Sequence, residues 1–115
     1  MSGVFSESSS SSYVVYSTAK IAVVDLAVSL AVELGSEGIR VNALVPGLMR
    51  TARVVATAKA NGIGANDRDA RASLARLGTL DDKVGAIQFF ATDLSTCITG
   101  ELVTVDSGVH QVSVL

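Results

Sequence analysis

Gly35-Ser36-Glu37-Gly38-Ile39-Arg40-Val41-Asn42-Ala43-Leu44-Val45-Pro46-Gly47 separates two kinds of hydrophobic pattern, and the change across it limits the folds open to the chain. Upstream, apolar residues run almost unbroken from Ile21 to Leu34. Downstream, Ile39 to Val45 is short and rich in β-branched residues, the composition of a buried strand, and Pro46-Gly47 ends it. The glycines that flank Ser36-Glu37 supply a helix C-cap at Gly35 and a short reversal. Helix, tight turn and strand make an αβ unit of the kind that builds doubly wound sheets.

Working back from the turn, the pattern predicts a helix over 14–34. Val23, Val24, Leu26, Ala27, Val28, Leu30, Ala31, Val32 and Leu34 cover nearly its whole circumference, and only Asp25, Ser29 and Glu33, spaced by four, form a polar stripe. A surface helix needs one apolar face, so this one calls for cover on two sides. The run Ile21–Leu34 is shorter than the roughly 20 residues that cross a bilayer and carries these polar breaks, which favours a core helix over a membrane span. No basic segment followed by an apolar core opens the chain, so no secretory leader is expected and the protein is read as soluble and cytoplasmic. Residues 1–13, with serine at every position from Ser8 to Ser12, favour a loop. A chain that enters a buried helix so soon after a loop is expected to have lost its beginning.

Working forward, residues 49–60 are expected to be helical, Asn61-Gly62-Ile63-Gly64 to break that helix, and 66–76 to form a second short one. The whole insertion, 48–78, lies where α/β proteins place substrate-facing lids. Thr79 has the character of an N-cap, with Asp81 and Asp82 favouring the positive helix end and Val84, Ile87, Ala91 and Leu94 forming a stripe that runs to about residue 94. Glu101–Val105 is a second buried-type strand, ended by Asp106-Ser107-Gly108, and His110–Leu115 is a short apolar tail. Two strands with a helix between them imply a parallel pair joined by a right-handed crossover.

At 115 residues there is room for one domain or part of a larger one. Scattered charges, 9 basic against 11 acidic for a net charge of -2, give no polyanion-binding face and weigh against nucleic acid. A hydrophobic share of 49% and a mean hydropathy of +0.47 leave the chain with more to bury than its size suggests. Cys97 stands alone, which excludes an internal disulfide and a cysteine metal cluster; a small buried or half-buried thiol is expected. His110 is the single histidine, without an acidic or cysteine neighbour, so no metal site is read from it.

Chemistry enters at Tyr16-Ser17-Thr18-Ala19-Lys20. Four residues on a helix are one turn on one face, which sets Lys20 beneath the Tyr16 hydroxyl. A phenol titrates near pH ~10, and a neighbouring ammonium favours its ionised form, suiting it to proton transfer. An isolated Tyr-x-x-x-Lys also arises by chance, and Pro-Gly alone is an ordinary turn.

Together with Arg40-Val41-Asn42-Ala43-Leu44-Val45-Pro46-Gly47 and Ile98-Thr99-Gly100-Glu101-Leu102-Val103-Thr104-Val105-Asp106, in this order and spacing, the segment resembles the short-chain dehydrogenase/reductase family. Arg76-Leu77-Gly78-Thr79 ahead of Asp81-Asp82 looks like that family's run into its last long helix. The resemblance implies an α/β fold, the C-terminal part of a Rossmann-type doubly wound parallel sheet, in a single partial domain 1–115 divided as 1–13 loop, 14–47 catalytic helix and strand, 48–78 lid, and 79–115 last helix, strand and tail. It also implies hydride transfer between NAD or NADP and a small alcohol or carbonyl substrate. Tyr16 would be the general acid/base, and Lys20 would lower its pKa and hold the nicotinamide ribose hydroxyls. Pro46-Gly47 would set the backbone of Leu48 against the nicotinamide carboxamide, with Thr51 adding its hydroxyl. The place of the family's carbonyl-polarising serine falls at Gly3; a one-residue loop difference would bring Ser2 into that role. The family's glycine-rich nucleotide turn has no counterpart, since Gly62-Ile63-Gly64 follows no strand and has Asp67 where a third glycine would stand. Weak nucleotide binding by these residues alone is therefore expected. The resemblance further implies a homo-oligomer formed through helix 14–34. The rival reading is a non-catalytic remnant or interaction module associating through the same helix.

Overall fold

The computed structural model describes residues 14–63 and 69–109. Its first element, α1, spans Val14–Leu34, an uninterrupted 21-residue run without glycine or proline. A 3-10 turn at Gly35–Glu37 follows, and Gly38, at φ 75°, closes the helix by donating its N–H to the Gly35 carbonyl at 3.0 Å. The left-handed cap therefore falls at Gly38 rather than Gly35, because the chain tightens by one extra turn before it reverses.

Two strands, β1 (Ala43–Pro46) and β2 (Leu102–Val105), pair in parallel with Ala43 opposite Leu102 and Pro46 opposite Val105. β1 begins later than Ile39; ahead of it the backbone bond from the Gly100 N–H to the Val41 carbonyl, at 2.7 Å, is joined by side-chain bonds. The Asn42 carboxamide donates to the Ile98 carbonyl at 3.0 Å and accepts from the Glu101 N–H at 3.0 Å, and the Thr99 hydroxyl accepts from the Val41 N–H at 3.1 Å. Arg40 spans the gap to the neighbouring turn, donating to the Phe90 carbonyl at 2.8 Å and to Ser95 Oγ at 2.9 Å. Pro46 lies inside β1 instead of after it. Ala43 donates to the Glu101 carbonyl and Gly47 to the Val105 carbonyl, so the alternation along the strand leaves the missing Pro46 donor on the opposite edge, where it costs no ladder bond.

Between the strands lie two helices. α2 (Ala52–Ala60) is capped by the Thr51 hydroxyl, which accepts from the Val54 N–H at 3.3 Å, and it ends before Gly62, at φ 67°. α3 (Leu80–Ala91) begins in a capping box. The Thr79 hydroxyl accepts from the Asp82 N–H at 3.3 Å, and the Asp82 carboxylate accepts from the Thr79 N–H at 2.8 Å. The helix stops at Ala91, short of residue 94, where a 3-10 turn at Asp93–Ser95 folds the Ser95 hydroxyl back onto the Phe89 carbonyl at 2.8 Å. Of the segment expected as a second lid helix, 66–76, residues 66–68 lie outside the described residues and the remainder holds a 3-10 turn, Asp69–Arg71.

The core is thin. Ala31, Val45, Met49, Ala58, Ala72 and Leu77 are the buried apolar residues among those described. In α1 only Ala31 is buried, while Val15 is 83% and Val32 81% exposed. The α3 stripe is likewise open at Val84 and Ile87, Leu94 is exposed in the turn beyond the helix, and Cys97 is exposed rather than covered. The helix that carries the apolar run, Val14–Glu37 with its terminal turn, is long and apolar enough to cross a membrane by length and composition alone, a test that the core helix of a soluble protein also passes.

The Thr79–Asp82 cap gives a direct stability test. Thr79→Ala removes the side-chain acceptor and is expected to cost about 1 kcal/mol in denaturant unfolding. The Arg76 fork, at 2.7 and 2.9 Å, holds the Asp82 carboxyl well below the usual carboxylate range. A depressed folded-state value gives stability that is present above the unfolded value near pH ~4 and lost as pH falls toward the folded one. Asp82→Asn is therefore expected to flatten the acid limb of a melting-temperature profile, and an unchanged limb would remove this pair from the stability of α3.

Candidate functional site

Two sets of residues with chemical capacity emerge from this fold. The first lies on the opening turns of α1, where Tyr16 is 44% exposed and Lys20 half-buried. The Lys20 ammonium lies 5.6 Å from the centroid of the Tyr16 ring, within cation–π range. The i, i+4 spacing brings the two groups to one helix face, with the cation over the ring. Ala31, the anchoring residue of α1, is fifteen positions further on, about 22 Å along the helix axis. Tyr16 and Lys20 thus project from the far end of α1.

The second set gathers at the carboxyl end of β1, the end at which open α/β sheets bind ligands. The Gly47 N–H donates to the Val105 carbonyl at 2.9 Å, so the Pro46-Gly47 corner is tied to β2. A Cβ on Gly47 would lie 2.1 Å from the Asp106 Cβ, so only glycine fits against the turn after β2 there. Leu48 follows, half-buried, and Met49 bridges to Gly78. The Arg50 N–H donates to the Gly78 carbonyl at 2.8 Å, so the two roots of the 48–78 segment are bound to each other. Thr51 uses its hydroxyl oxygen as the α2 cap. Ser2 and His110 lie outside the described residues.

Sequence reasoning passed over two acids here. Asp69 accepts from the Leu77 N–H at 2.9 Å and pairs with Arg50, and these contacts lower its carboxyl from the ordinary range, the backbone bond most of all. Asp106, 6% exposed, accepts from the Gly108 N–H at 2.9 Å through Oδ1. Its position directly after a strand, in Asp-Ser-Gly, was the available signal, but the same triplet describes any turn. A cavity of about 510 Å³ opens beside it, lined by Ser73, Arg76, Asp82, Thr104 and Asp106 among others, and by neither Tyr16 nor Lys20. Among the described residues no group of three or more His, Cys, Asp and Glu could hold a metal ion.

The arrangement can be compared with known proteins. A family profile described as enoyl-(acyl carrier protein) reductase matches residues 1–110. The chain is 41% identical over 91 residues to a 3alpha-hydroxysteroid dehydrogenase of Mediterraneibacter gnavus, an alignment that covers 79% of this chain and 35% of the relative. Among solved structures, a short-chain type dehydrogenase/reductase from Mycobacterium ulcerans superposes with a TM-score of 0.74 at 31% identity, covering 84% of this chain and 34% of that one. A 4-hydroxyisoleucine dehydrogenase complexed with NADH gives a TM-score of 0.63 at 31% identity, with 82% and 37% covered. The fold is accordingly a partial Rossmann-type α/β fold, and the chain spans little more than a third of the length of such relatives. With the Tyr16–Lys20 pair, the Pro46-Gly47 corner and the parallel β1–β2 pair in the order the resemblance requires, the chain belongs to the short-chain dehydrogenase/reductase family.

Proposed function

We propose that the protein is a nicotinamide-dependent oxidoreductase that interconverts a small alcohol and its carbonyl compound, with Tyr16 as general acid/base. The observation that carries this reading is the Tyr16–Lys20 pair, an accessible phenol with an ammonium 5.6 Å from its ring centre, on a helix of this family. NAD or NADP, when bound, supplies or accepts the hydride. The donor set suits that group: Lys20 offers an ammonium to ribose hydroxyls, and Pro46, Gly47 and Leu48 offer a rigid backbone corner at the carboxyl end of β1. In the reducing direction the Tyr16 hydroxyl gives its proton to the carbonyl oxygen; in the oxidising direction the phenolate takes the alcohol proton. Thr51 contributes its hydroxyl from the head of α2, and Ser2 is the proposed polariser of the substrate carbonyl. The 48–78 segment, bound at its roots, covers the substrate.

Tyr16→Phe deletes one hydroxyl and little packing. It is expected to leave the circular dichroism spectrum unchanged while lowering turnover of nicotinamide nucleotide by about a hundredfold or more. A loss of only a few-fold would place the proton elsewhere.

The open surface of α1 supports association. Burial of apolar surface is worth roughly 25 cal/mol per Å², so a helix with one side left in water forgoes several kcal/mol. We take α1 as a packing surface for a second copy, in the cytoplasm, rather than a membrane span, because Asp25, Ser29 and Glu33 interrupt it turn by turn. In sedimentation equilibrium Val28→Asp is expected to dissociate the assembly while Glu33→Ala leaves it intact. A cooperatively melting monomer at micromolar concentration would favour the rival reading of α1 as an adaptor for a different chain, or none.

A further inference from the structure

The turn after β2 touches both the nucleotide-facing corner and the base of the lid. On one side, Asp106 backs directly onto Gly47: a Cβ there would lie 2.1 Å from the Asp106 Cβ and 2.7 Å from its Cα. On the other side, the Leu74 N–H donates to the Ser107 carbonyl at 3.2 Å, and the Ser73 hydroxyl donates to the Gly108 carbonyl at 3.1 Å. The turn itself is held by the Asp106 carboxylate, which accepts from the Gly108 N–H at 2.9 Å. Gly108, at φ 78°, has no room for a side chain, since a Cβ would lie 2.6 Å from Ser73 Oγ.

Backbone held this closely on two sides moves as one body or not at all, because neither face has space to give. We propose that Asp106 is a positioning residue: by bracing the Asp106–Gly108 turn, it sets the Pro46-Gly47 corner and the lid base at Ser73-Leu74 in fixed relation. The inference rests on the proposed oxidoreductase reading for its purpose, since a braced corner fixes where the nicotinamide ring can lie relative to whatever the lid covers. Asp106 touches neither substrate nor nucleotide in this account. It acts through Gly47 and through Gly108.

Amide hydrogen exchange on the full chain tests the brace without any cofactor, so its failure and that of the oxidoreductase reading are separable. Asp106→Ala removes the acceptor for Gly108. It is expected to speed exchange at both Gly47 and Leu74 by about tenfold or more, the effect of losing one charge-assisted hydrogen bond, and to leave the α3 amides unchanged. Asp106→Asn keeps an oxygen acceptor and is expected to restore both rates to within about twofold of the parent. Ser73→Ala, at an exposed position, removes one of the two lid-side bonds, keeps the backbone bond from Leu74 to Ser107, and is expected to raise the Gly47 rate across the turn. Acceleration confined to Leu74 with Gly47 unaffected in Ser73→Ala, or a uniform rise throughout α3 in Asp106→Ala that Asp106→Asn does not reverse, would overturn the proposal.

Discussion

The parallel pairing of β1 with β2 is the constraint on which the rest of the described structure depends. Four residue pairs in register, Ala43–Leu102 to Pro46–Val105, bring together segments nearly sixty positions apart. Parallel strands cannot be joined by a tight hairpin, so everything between them must leave the sheet and return over it. That requirement places α2 and α3 outside the ladder and sets the Pro46-Gly47 corner beside Asp106. It also explains the dense polar contacts just before the strands. Arg40, Asn42 and Thr99 add side-chain bonds to the backbone one there, and they tie the end of α3 to the start of β1.

Polar anchoring and sparse apolar burial are complementary here. With few buried apolar residues, the described chain relies on caps, forks and side-chain bridges for its geometry: the Thr79–Asp82 box, the Arg76–Asp82 pair, the Arg50–Asp69 pair and the Arg40–Ser95 contact. Such bonds set direction and register, whereas the free energy of a stable domain comes mainly from apolar burial. The uncovered faces of α1 and α3 are where further burial is available.

Most of the helical architecture was legible in the sequence because each helix announces its own ends. α1 runs from an apolar onset to a glycine-bounded turn, and α3 begins at a threonine followed by two acids. What escaped was set by contacts between distant residues. The late start of β1 goes with Asn42 bridging Ile98 and Glu101, and the early end of α3 with Ser95 folding onto Phe89; neither partnership is visible in a local pattern. The shift of the cap from Gly35 to Gly38 was a choice between two glycines that composition could not make. At the site, Tyr16 and Lys20 were legible because four-residue spacing alone places them on one face. The tight fit of Gly47 against Asp106 was not, since it depends on strand register.

In the proposed reaction the work is divided between a helix that carries the proton donor and a strand end that orients the hydride carrier. Isotope transfer tests this division most directly. The protein, in its native assembly, is given nicotinamide nucleotide deuterated at the transferable position and a panel of small ketones and aldehydes, and the alcohols are read by mass spectrometry. The expected product is an alcohol with deuterium on the former carbonyl carbon and a solvent-derived proton on its oxygen. Across a panel that a known dehydrogenase reduces in parallel, products with no deuterium on that carbon, or no alcohol at all, would contradict the proposed reaction.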